Sequence, residues 1–526
     1  MLCSVRTRFP PSPTGFLHIG GLRTALFSYL LAKKKGGTFY VRIEDTDQSR
    51  EVAGATLNIL QTLHWAGIGP DEGVTLSSFD SAQDDTTIVE RGKFGPYFQS
   101  KRLPIYQEHG EKLLATGAAY RCFCSQERLE AMRKEQEARH QAPMYDRTCL
   151  RIPNEEAEKR SKEERHVIRM KIPSEKEIVC KDHIRGEVRF SLATLDDQVL
   201  MKSDGFPTYH LAHVVDDHLM ETTLVVRGEE WLPSLPKHIL LFRAFGWDPP
   251  EYAHVPLLLA KGGGKLSKRQ GDVSVEAFRE KGYLPEAVLN FIALLGWNPG
   301  TSRPAGSGAG QRPEKEQEIF SLPELIERFD LSRVQKAGAI FDTQKLDWLQ
   351  GQWMRGFKLE EFVRRIRPNV EQKFSAAKED KDFQKKAELI QKRITFFSEA
   401  PEMLRFFYEE PTPSLELLAN EKQGVRKEDL SDILKLLLKI LNDIEKWDYV
   451  QIRDHINASH LEDTVTELEE GKSKVLRCGR LTTRQLLWVL RAALTGLPYS
   501  PGALEVAEIL QMEKTIERLK RCQDML

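Results

Sequence analysis

Polar and apolar positions alternate in SVRTRF (Ser4 to Phe9) as they do in a short strand. Prolines at 10, 11 and 13 end it by removing backbone donors and fixing φ. From Ile19 to Lys35 apolar residues recur as Leu22, Leu26, Tyr29 and Leu30, near helical spacing, and KKKGG closes the segment with cations and a glycine stop. TFYVRI (Thr38 to Ile43), rich in β-branched and aromatic residues, predicts a second strand. The unit is βαβ, which implies an open parallel sheet. Ligands of such sheets sit beyond the carboxyl ends of the strands, so residues 8–12 and 44–47 would line one crevice.

Farther along, roughly 160 residues separate the second strand from Tyr209, too many for a loop, so a domain is inserted there. Its segments MRKEQEARH and EEAEKRSKEERH are charge-rich and read first as solvated helices. TSRPAGSGAGQRPEKEQE (Thr301 to Glu318) is poor in apolar residues and reads as a flexible insertion. Beyond it Leu430, Leu434, Leu437, Leu438, Leu441 and Ile444 form one helical apolar face, and RQLLWVLRAAL another.

Composition sets bounds on this picture. A chain of 526 residues exceeds one hydrophobic core and predicts two to four domains; 40% apolar and 29% charged residues describe an ordinary globular protein. No apolar run approaches the roughly 20 residues of a membrane helix. The net charge of -1 neither requires nor excludes a nucleic-acid partner. Seven irregularly spread cysteines disfavour a disulfide framework and suit a reducing compartment. The first eight residues contain two arginines, Arg6 and Arg8, but are too short for a presequence, so any targeting segment is expected to have been removed or never present.

Chemistry concentrates in two places. Gly15, Gly20 and Gly21 bracket the start of the first helix, where free N–H groups and the helix dipole favour an anion, and His18 stands beside them. A plain Pro-Gly turn with a structural histidine is the alternative. The second place is KGGGKLSKRQGD (Lys261 to Asp272), where glycines threaded between three lysines and an arginine suit a clamp on phosphates, against the alternative of solvated surface.

HIGG and KLSKR, in that order, resemble the two signatures of class I aminoacyl-tRNA synthetases. The flanks PPSPTGFLHIGG, VRIEDTDQSR, GPYFQSKRLPIY, SDGFPTYHLAHVVDDHLM and VVRGEEWLPSLPKHILLFRAFGW resemble the glutamyl-tRNA synthetase family, from about Thr7 to the C-terminus and more weakly after about Arg355. The resemblance implies a multidomain fold: an α/β Rossmann-like catalytic domain with an inserted acceptor-binding domain, then all-α stem-contact and anticodon-binding domains. The expected divisions are 1–95 and 201–300 for the catalytic halves, 96–200 for the insertion, 301–318 for the loop, 319–380 for the stem-contact domain and 381–526 for the anticodon-binding domain. It also implies activation of L-glutamate by ATP and transfer to the terminal adenosine of tRNA-Glu, with tRNA-Gln a second candidate.

Carried over residue by residue, the resemblance puts Arg8, Phe9, Pro10, Ser12, Glu44, Tyr209, His210, Leu211, Ala212, His213 and Arg227 in the glutamate pocket. A substrate with two carboxylates and an ammonium needs guanidinium groups and a carboxylate, which Arg8, Arg227 and Glu44 supply, while Tyr209 adds a hydroxyl. The alternative for Glu44 and Asp45 is an ion pair with Arg42 or Arg50, and for Asp216 and Asp217 a helix cap. For ATP the implied residues are His18, Gly20, Gly21, Glu230, Lys265, Leu266, Ser267, Lys268 and Arg269, with His18, Lys265 and Lys268 stabilising charge on the phosphates. No side-chain nucleophile is implied, and Mg2+ would come with ATP.

Some relatives hold zinc with a set like Cys122, Cys124 and Cys149, closed two residues later; here that place is Arg151, which cannot ligate, and the expectation is no zinc unless His140 or His166 substitutes. Near ELIQKRITFF, Gln391 or Arg393 is the position expected to read the anticodon; a Gln391 match would admit tRNA-Gln. The resemblance further implies a monomer with no membrane partner. The insertion and the divergent tail suggest a mitochondrial matrix enzyme of bacterial descent, with a bacterial cytoplasm as the alternative. The rivals are a glutaminyl enzyme and a non-catalytic tRNA-binding paralogue.

Overall fold

The prolines after Phe9 end the first strand, β1 (Arg6–Phe9), whose four residues are all buried, as expected of a parallel sheet covered on both faces. This computed structural model describes residues 4–77, 87–264, 266, 274–300, 317–458, 466–469, 472–475 and 481–526. The chain forms two units, Met1–Leu349 and Gln350–Leu526.

In the first unit the helix Ile19–Lys34 follows β1 and lays Leu22, Leu26, Phe27 and Leu30 into the core. It returns to β2 (Thr38–Val41), parallel to β1 with Arg6 opposite Thr38. The predicted βαβ unit is therefore present. The second strand is two residues shorter than expected: beyond Val41 the chain bridges Phe98 through Ile43 instead of continuing the ladder.

Next come β3 (Glu72–Leu76) and the antiparallel edge strand β4 (Ile88–Arg91). At Gly73, φ is +94° and a Cβ would stand 2.0 Å from the Val41 carbonyl oxygen, so the β2–β3 contact needs glycine. Inserted strands follow: β5 (Ala119–Cys122), β6 (Val167–Met170), β7 (Glu177–Asp182), β8 (Gly186–Ser191) and β9 (Val199–Met201). Of these, β5, β6 and β9 make a three-stranded sheet and β7 and β8 a hairpin. The helix Gln126–Ala138 buries nothing and Asn154–Ser161 only Ala157, the solvated faces expected of their charge.

The main sheet is completed by β10 (Leu224–Gly228) and β11 (Glu251–Val255), giving the order β11-β10-β1-β2-β3-β4. All pairings but the last are parallel. Connections leave β1 toward β2 on one side, and β10 joins on the other. The crevice of this doubly wound sheet thus opens at the carboxyl ends of β1 and β10. A short strand, β12 (Leu258–Leu259), follows and leads into the basic loop.

The second unit is largely helical. Its helix Leu430–Asn442 buries Leu430, Ile433, Leu434, Leu437, Ile440 and Leu441, and Thr483–Thr495 buries Leu486, Val489 and Leu490. The expectation of all-α structure is corrected at one place: Thr466–Glu469 and Lys472–Val475 pair as antiparallel strands. Of the expected loop at 301–318, only Gln317 and Glu318 are among the described residues. Among the described residues, no helix is long and apolar enough to cross a membrane.

Candidate functional site

At the carboxyl end of β1 stands Arg8, 1% exposed. Its Nε donates to both oxygens of Asp217 at 3.2 Å, and its Nη2 lies 3.3 Å from His213 Nδ1. Nη1, equally buried, has no hydrogen-bond partner among the described residues. A buried guanidinium with one donor nitrogen unspent can accommodate a further acceptor such as a carboxylate. Arg42, wholly buried beside it, donates to Asp217 at 2.8 Å and to Glu44 at 2.9 Å. Burial alone would raise the Asp217 carboxyl, but Arg8 and Arg42 outweigh it and hold it below its ordinary value. For Glu44 burial wins over Arg42 and Arg8, and its carboxyl is raised.

Arg227 is the next-to-last residue of β10, as Arg8 is of β1. It donates from Nη1 to the Tyr209 hydroxyl at 3.2 Å and to His238 Nδ1 at 3.1 Å, and from Nε to His254 Nε2 at 3.0 Å. A guanidinium only donates, so His238 must accept at Nδ1 and carry its proton on Nε2, which then reaches His210 Nδ1 at 3.0 Å. Burial holds both imidazoles neutral: His238 falls well below its ordinary value and His210 drops to about 4. Tyr209 stacks on His213 at 5.2 Å and leans on Trp231 at 4.3 Å between ring centres.

Helical periodicity explains the grouping, because Tyr209, His213 and Asp216/Asp217 fall on one face of the helix Tyr209–Leu219. Reading Asp216 and Asp217 as helix caps is corrected: Thr208 is the N-cap, and both acids are fully buried near the opposite end. The helix dipole disfavours acids there, and cations offset it: Arg102 donates to Asp216 at 2.7 Å, as Arg8 and Arg42 do to Asp217. Glu44 does pair with Arg42, whereas Arg50 takes Asp47 and Asp45 accepts from Ser100. Leu211 and Ala212 lie in the apolar core with Val225 and Leu241. Phe9 is buried, Pro10 is half-buried, and Ser12 is exposed at the strand end.

The helix Ile19–Lys34 opens on His18, whose Nδ1 accepts the Gly21 amide at 3.0 Å. That acceptance leaves the ring proton on Nε2. A Cβ at Gly20 would press on the His18 ring at 3.2 Å, and one at Gly21 on Leu17 at 2.8 Å. His18 also bridges Ser274, with Val275 N donating to Leu17 O at 2.9 Å. At the loop's other end, Leu266 N donates to Leu258 O at 2.9 Å, and Leu258 approaches the Gly20 position. Both flanks of the basic loop are thus anchored beside the helix start. Lys265, Ser267, Lys268 and Arg269 lie outside the described residues. Glu230 is exposed, with its carboxylate over Gly228 at the end of β10.

In the insertion, Cys122, Cys124 and Cys149 converge with sulfurs within 4.8 Å of one another. Neither His140 nor His166 belongs to this cluster. Instead the Tyr145 hydroxyl lies 3.4 Å from Cys122 Sγ and 3.3 Å from Cys124 Sγ. Cys124 and Cys149 are 3.5 Å apart, close to the ~3.8 Å between thiolates on one tetrahedral zinc. Arg128 Nη1 stands 3.2 Å from Cys124 Sγ.

In the second unit, Gln391 donates to the Phe357 carbonyl at 2.8 Å, whereas Arg393 is exposed. Sequence reasoning offered Arg42 to Glu44 but missed its bond to Asp217, and it missed the roles of His238, His254 and Asp182. Their only local signal was polarity at buried positions of strands and helices.

Comparison with known proteins bears on this geometry. A family model described as tRNA synthetases class I (E and Q), catalytic domain, matches residues 4–348, and one for an anticodon binding domain matches residues 361–523. A glutamate–tRNA ligase of Chlorobium luteolum is 42% identical over 533 residues, covering 98% of this chain and 97% of its own. One of Clostridium tetani is 42% identical over 518 residues, covering 98% and 96%. A crystal structure of a glutamate tRNA ligase from Elizabethkingia meningosepticum, in complex with its amino acid, superposes with a TM-score of 0.81 at 34% identity, covering 99% of this chain and 100% of that one.

Proposed function

The chain belongs to the class I tRNA synthetases of the glutamate and glutamine group, and on that premise we propose that it activates L-glutamate with ATP and esterifies tRNA-Glu with it. The observation that carries this reading is the pair of buried guanidinium groups, Arg8 and Arg227, at the carboxyl ends of adjacent strands beside the His18 helix start. Two positioned guanidinium charges suit the two carboxylates of glutamate, with Arg8 Nη1 the unspent donor, and Glu44 suits its ammonium.

The α-carboxylate oxygen attacks the α-phosphorus of ATP, the bond to the β-phosphate breaks, and pyrophosphate leaves. A ribose hydroxyl of the terminal adenosine then attacks the acyl carbon and releases AMP. Catalysis is positioning and electrostatics. His18 donates from Nε2 to a phosphate, and Lys265 and Lys268 balance charge from the loop whose flanks meet that helix start. Mg2+ enters with ATP.

A glutaminyl enzyme is disfavoured by the helical second unit and by full-length relatives named glutamate–tRNA ligase. Retention of His18, Lys265 and Lys268 argues against a non-catalytic paralogue. At the anticodon end, the internal bond of Gln391 leaves Arg393 as the exposed candidate reader, which favours tRNA-Glu over tRNA-Gln. The relatives reported above are bacterial; they fit a bacterial cytoplasm and lend nothing to a mitochondrial address. A monomer follows from the resemblance alone, and light scattering checks it.

The Tyr145 hydroxyl supplies a fourth candidate donor where Arg151 cannot. One zinc per chain by elemental analysis would make Cys122, Cys124, Cys149 and Tyr145 a structural site; none would leave a thiol cluster beside Arg128.

Pyrophosphate exchange in the presence of tRNA should proceed with glutamate and not with glutamine, and Lys268→Ala should slow it by roughly two orders of magnitude. Equal exchange with glutamine, or an unaffected Lys268→Ala, would overturn the reading. Charging assays on purified tRNA-Glu and tRNA-Gln decide the second substrate.

A further inference from the structure

The hairpin β7–β8 belongs to the insertion, yet its turn reaches the substrate side of the sheet through one carboxylate. Asp182, the last residue of β7, is 6% exposed and accepts four N–H groups. Oδ1 takes the amides of Ile184 at 2.9 Å and Arg185 at 2.8 Å. Oδ2 takes the His254 amide at 3.0 Å and His254 Nδ1 at 2.6 Å.

His254, on β11 and wholly buried, thereby has its state determined at both ends. A carboxylate only accepts, so Nδ1 carries the proton; a guanidinium only donates, so Nε2 must present its lone pair to Arg227 Nε at 3.0 Å. The other tautomer would set Nε2–H against Nε–H. Burial lowers the imidazole against the pull of Asp182, which keeps it neutral.

We propose that Asp182 and His254 form a positioning relay that holds the Arg227 guanidinium for the substrate carboxylate and ties it to the turn of the inserted hairpin. Neither residue touches substrate. Both act through Arg227, so the inference rests on the reading of Arg227 as part of the glutamate pocket.

Substitutions at 254 separate the two ends. His254→Asn keeps an N–H where Nδ1 stood and reaches Asp182 but not Arg227. His254→Gln places an amide oxygen near the Nε2 position and can still accept from Arg227. Loss of one hydrogen bond to a charged group corresponds to about tenfold to a hundredfold in affinity.

The experiment is steady-state aminoacylation by the full chain, varying glutamate and ATP separately. His254→Asn should raise the glutamate KM about tenfold or more and leave the ATP KM within about twofold, and His254→Gln should recover most of the loss. Asp182→Asn should act in the same direction, and the double variant should be no worse than His254→Asn alone, because the residues act in series.

Additive effects of the two positions, equal damage from Asn and Gln, or an ATP KM rising in step would overturn the relay in favour of a merely structural role. Should either variant at 254 fail to fold by circular dichroism, Asp182→Asn alone must still shift the glutamate KM selectively. Arg227→Lys tests the underlying reading: an unchanged glutamate KM there discards the pocket assignment, whereas a raised one with a silent His254→Asn discards only the relay.

Discussion

The helix cap and the proposed phosphate contact of His18 share one ring, and the geometry allows them to be separated. Its Nδ1 caps the first helix by accepting the Gly21 amide at 3.0 Å, and the proton this leaves on Nε2 is the one proposed to meet a phosphate of ATP. Asparagine is among the best N-cap residues, and its side-chain oxygen stands as many bonds from Cα as Nδ1 does. It has no atom where Nε2 stands. His18→Asn should therefore keep the cap, with stability within about 0.5 kcal/mol of the parent, and lose the phosphate donor, at about two to three powers of ten in rate. His18→Ala should lose both: the same fall in rate together with about 1 kcal/mol, or about 2 °C in the melting transition of the first unit. Scanning calorimetry and aminoacylation at saturating ATP read the two effects independently. The reasoning is refuted if His18→Asn keeps more than about a tenth of the parental rate, or if it loses as much stability as His18→Ala.

Gly20→Ala tests the same ring from below: a Cβ 3.2 Å from His18 Cε1 and Nδ1 should displace it and lower the rate, while alanine's gain of about 1 kcal/mol in helix propensity offsets the weakened cap and holds the melting temperature. Asp217→Asn leaves Arg8 and Arg42 with excess buried charge and should cost about 3 kcal/mol in urea unfolding; a loss under about 1 kcal/mol would mean that the buried network is loosely held. Because the folded Asp217 carboxyl lies below its ordinary 3.8, its contribution is complete above that pH and declines as pH falls further, which acid titration of the parent and Asp217→Asn should show. His210 shifts stability in the same direction for a different reason: burial excludes its charged form, its folded value of about 4 lies below the ordinary 6.5, and on unfolding between these limits it takes up a proton that the folded chain refuses. Stability should rise with pH across that window by up to about 1.4 kcal/mol per unit, and His210→Gln should flatten the slope; identical slopes would contradict a neutral buried imidazole.

Local pattern carried much of this protein. The prolines after Phe9, the apolar spacing from Leu22 to Leu30 and the aromatic second strand were enough to predict a βαβ unit and a crevice at its strand ends, because strand alternation, helix periodicity and proline's missing donor act within a few residues. The glycines and His18 at the helix start were legible for the same reason. What local pattern cannot carry is partnership between distant polar groups. Arg8 and Asp217 are 209 positions apart, Arg42 and Asp217 175, and Asp182 and His254 72. Asp216 and Asp217 looked like cap residues until the fold placed them among Arg8, Arg42 and Arg102, where burial makes an unpaired charge too costly to keep. The three cysteines and Tyr145 meet only because the short helical turn Thr148–Arg151 and strand β5 bring them to one end of the inserted sheet. Sequence by itself determined the elements and where anions would be welcome; the tertiary structure decided which buried charges answer one another, since that depends on desolvation and on distances no local pattern encodes.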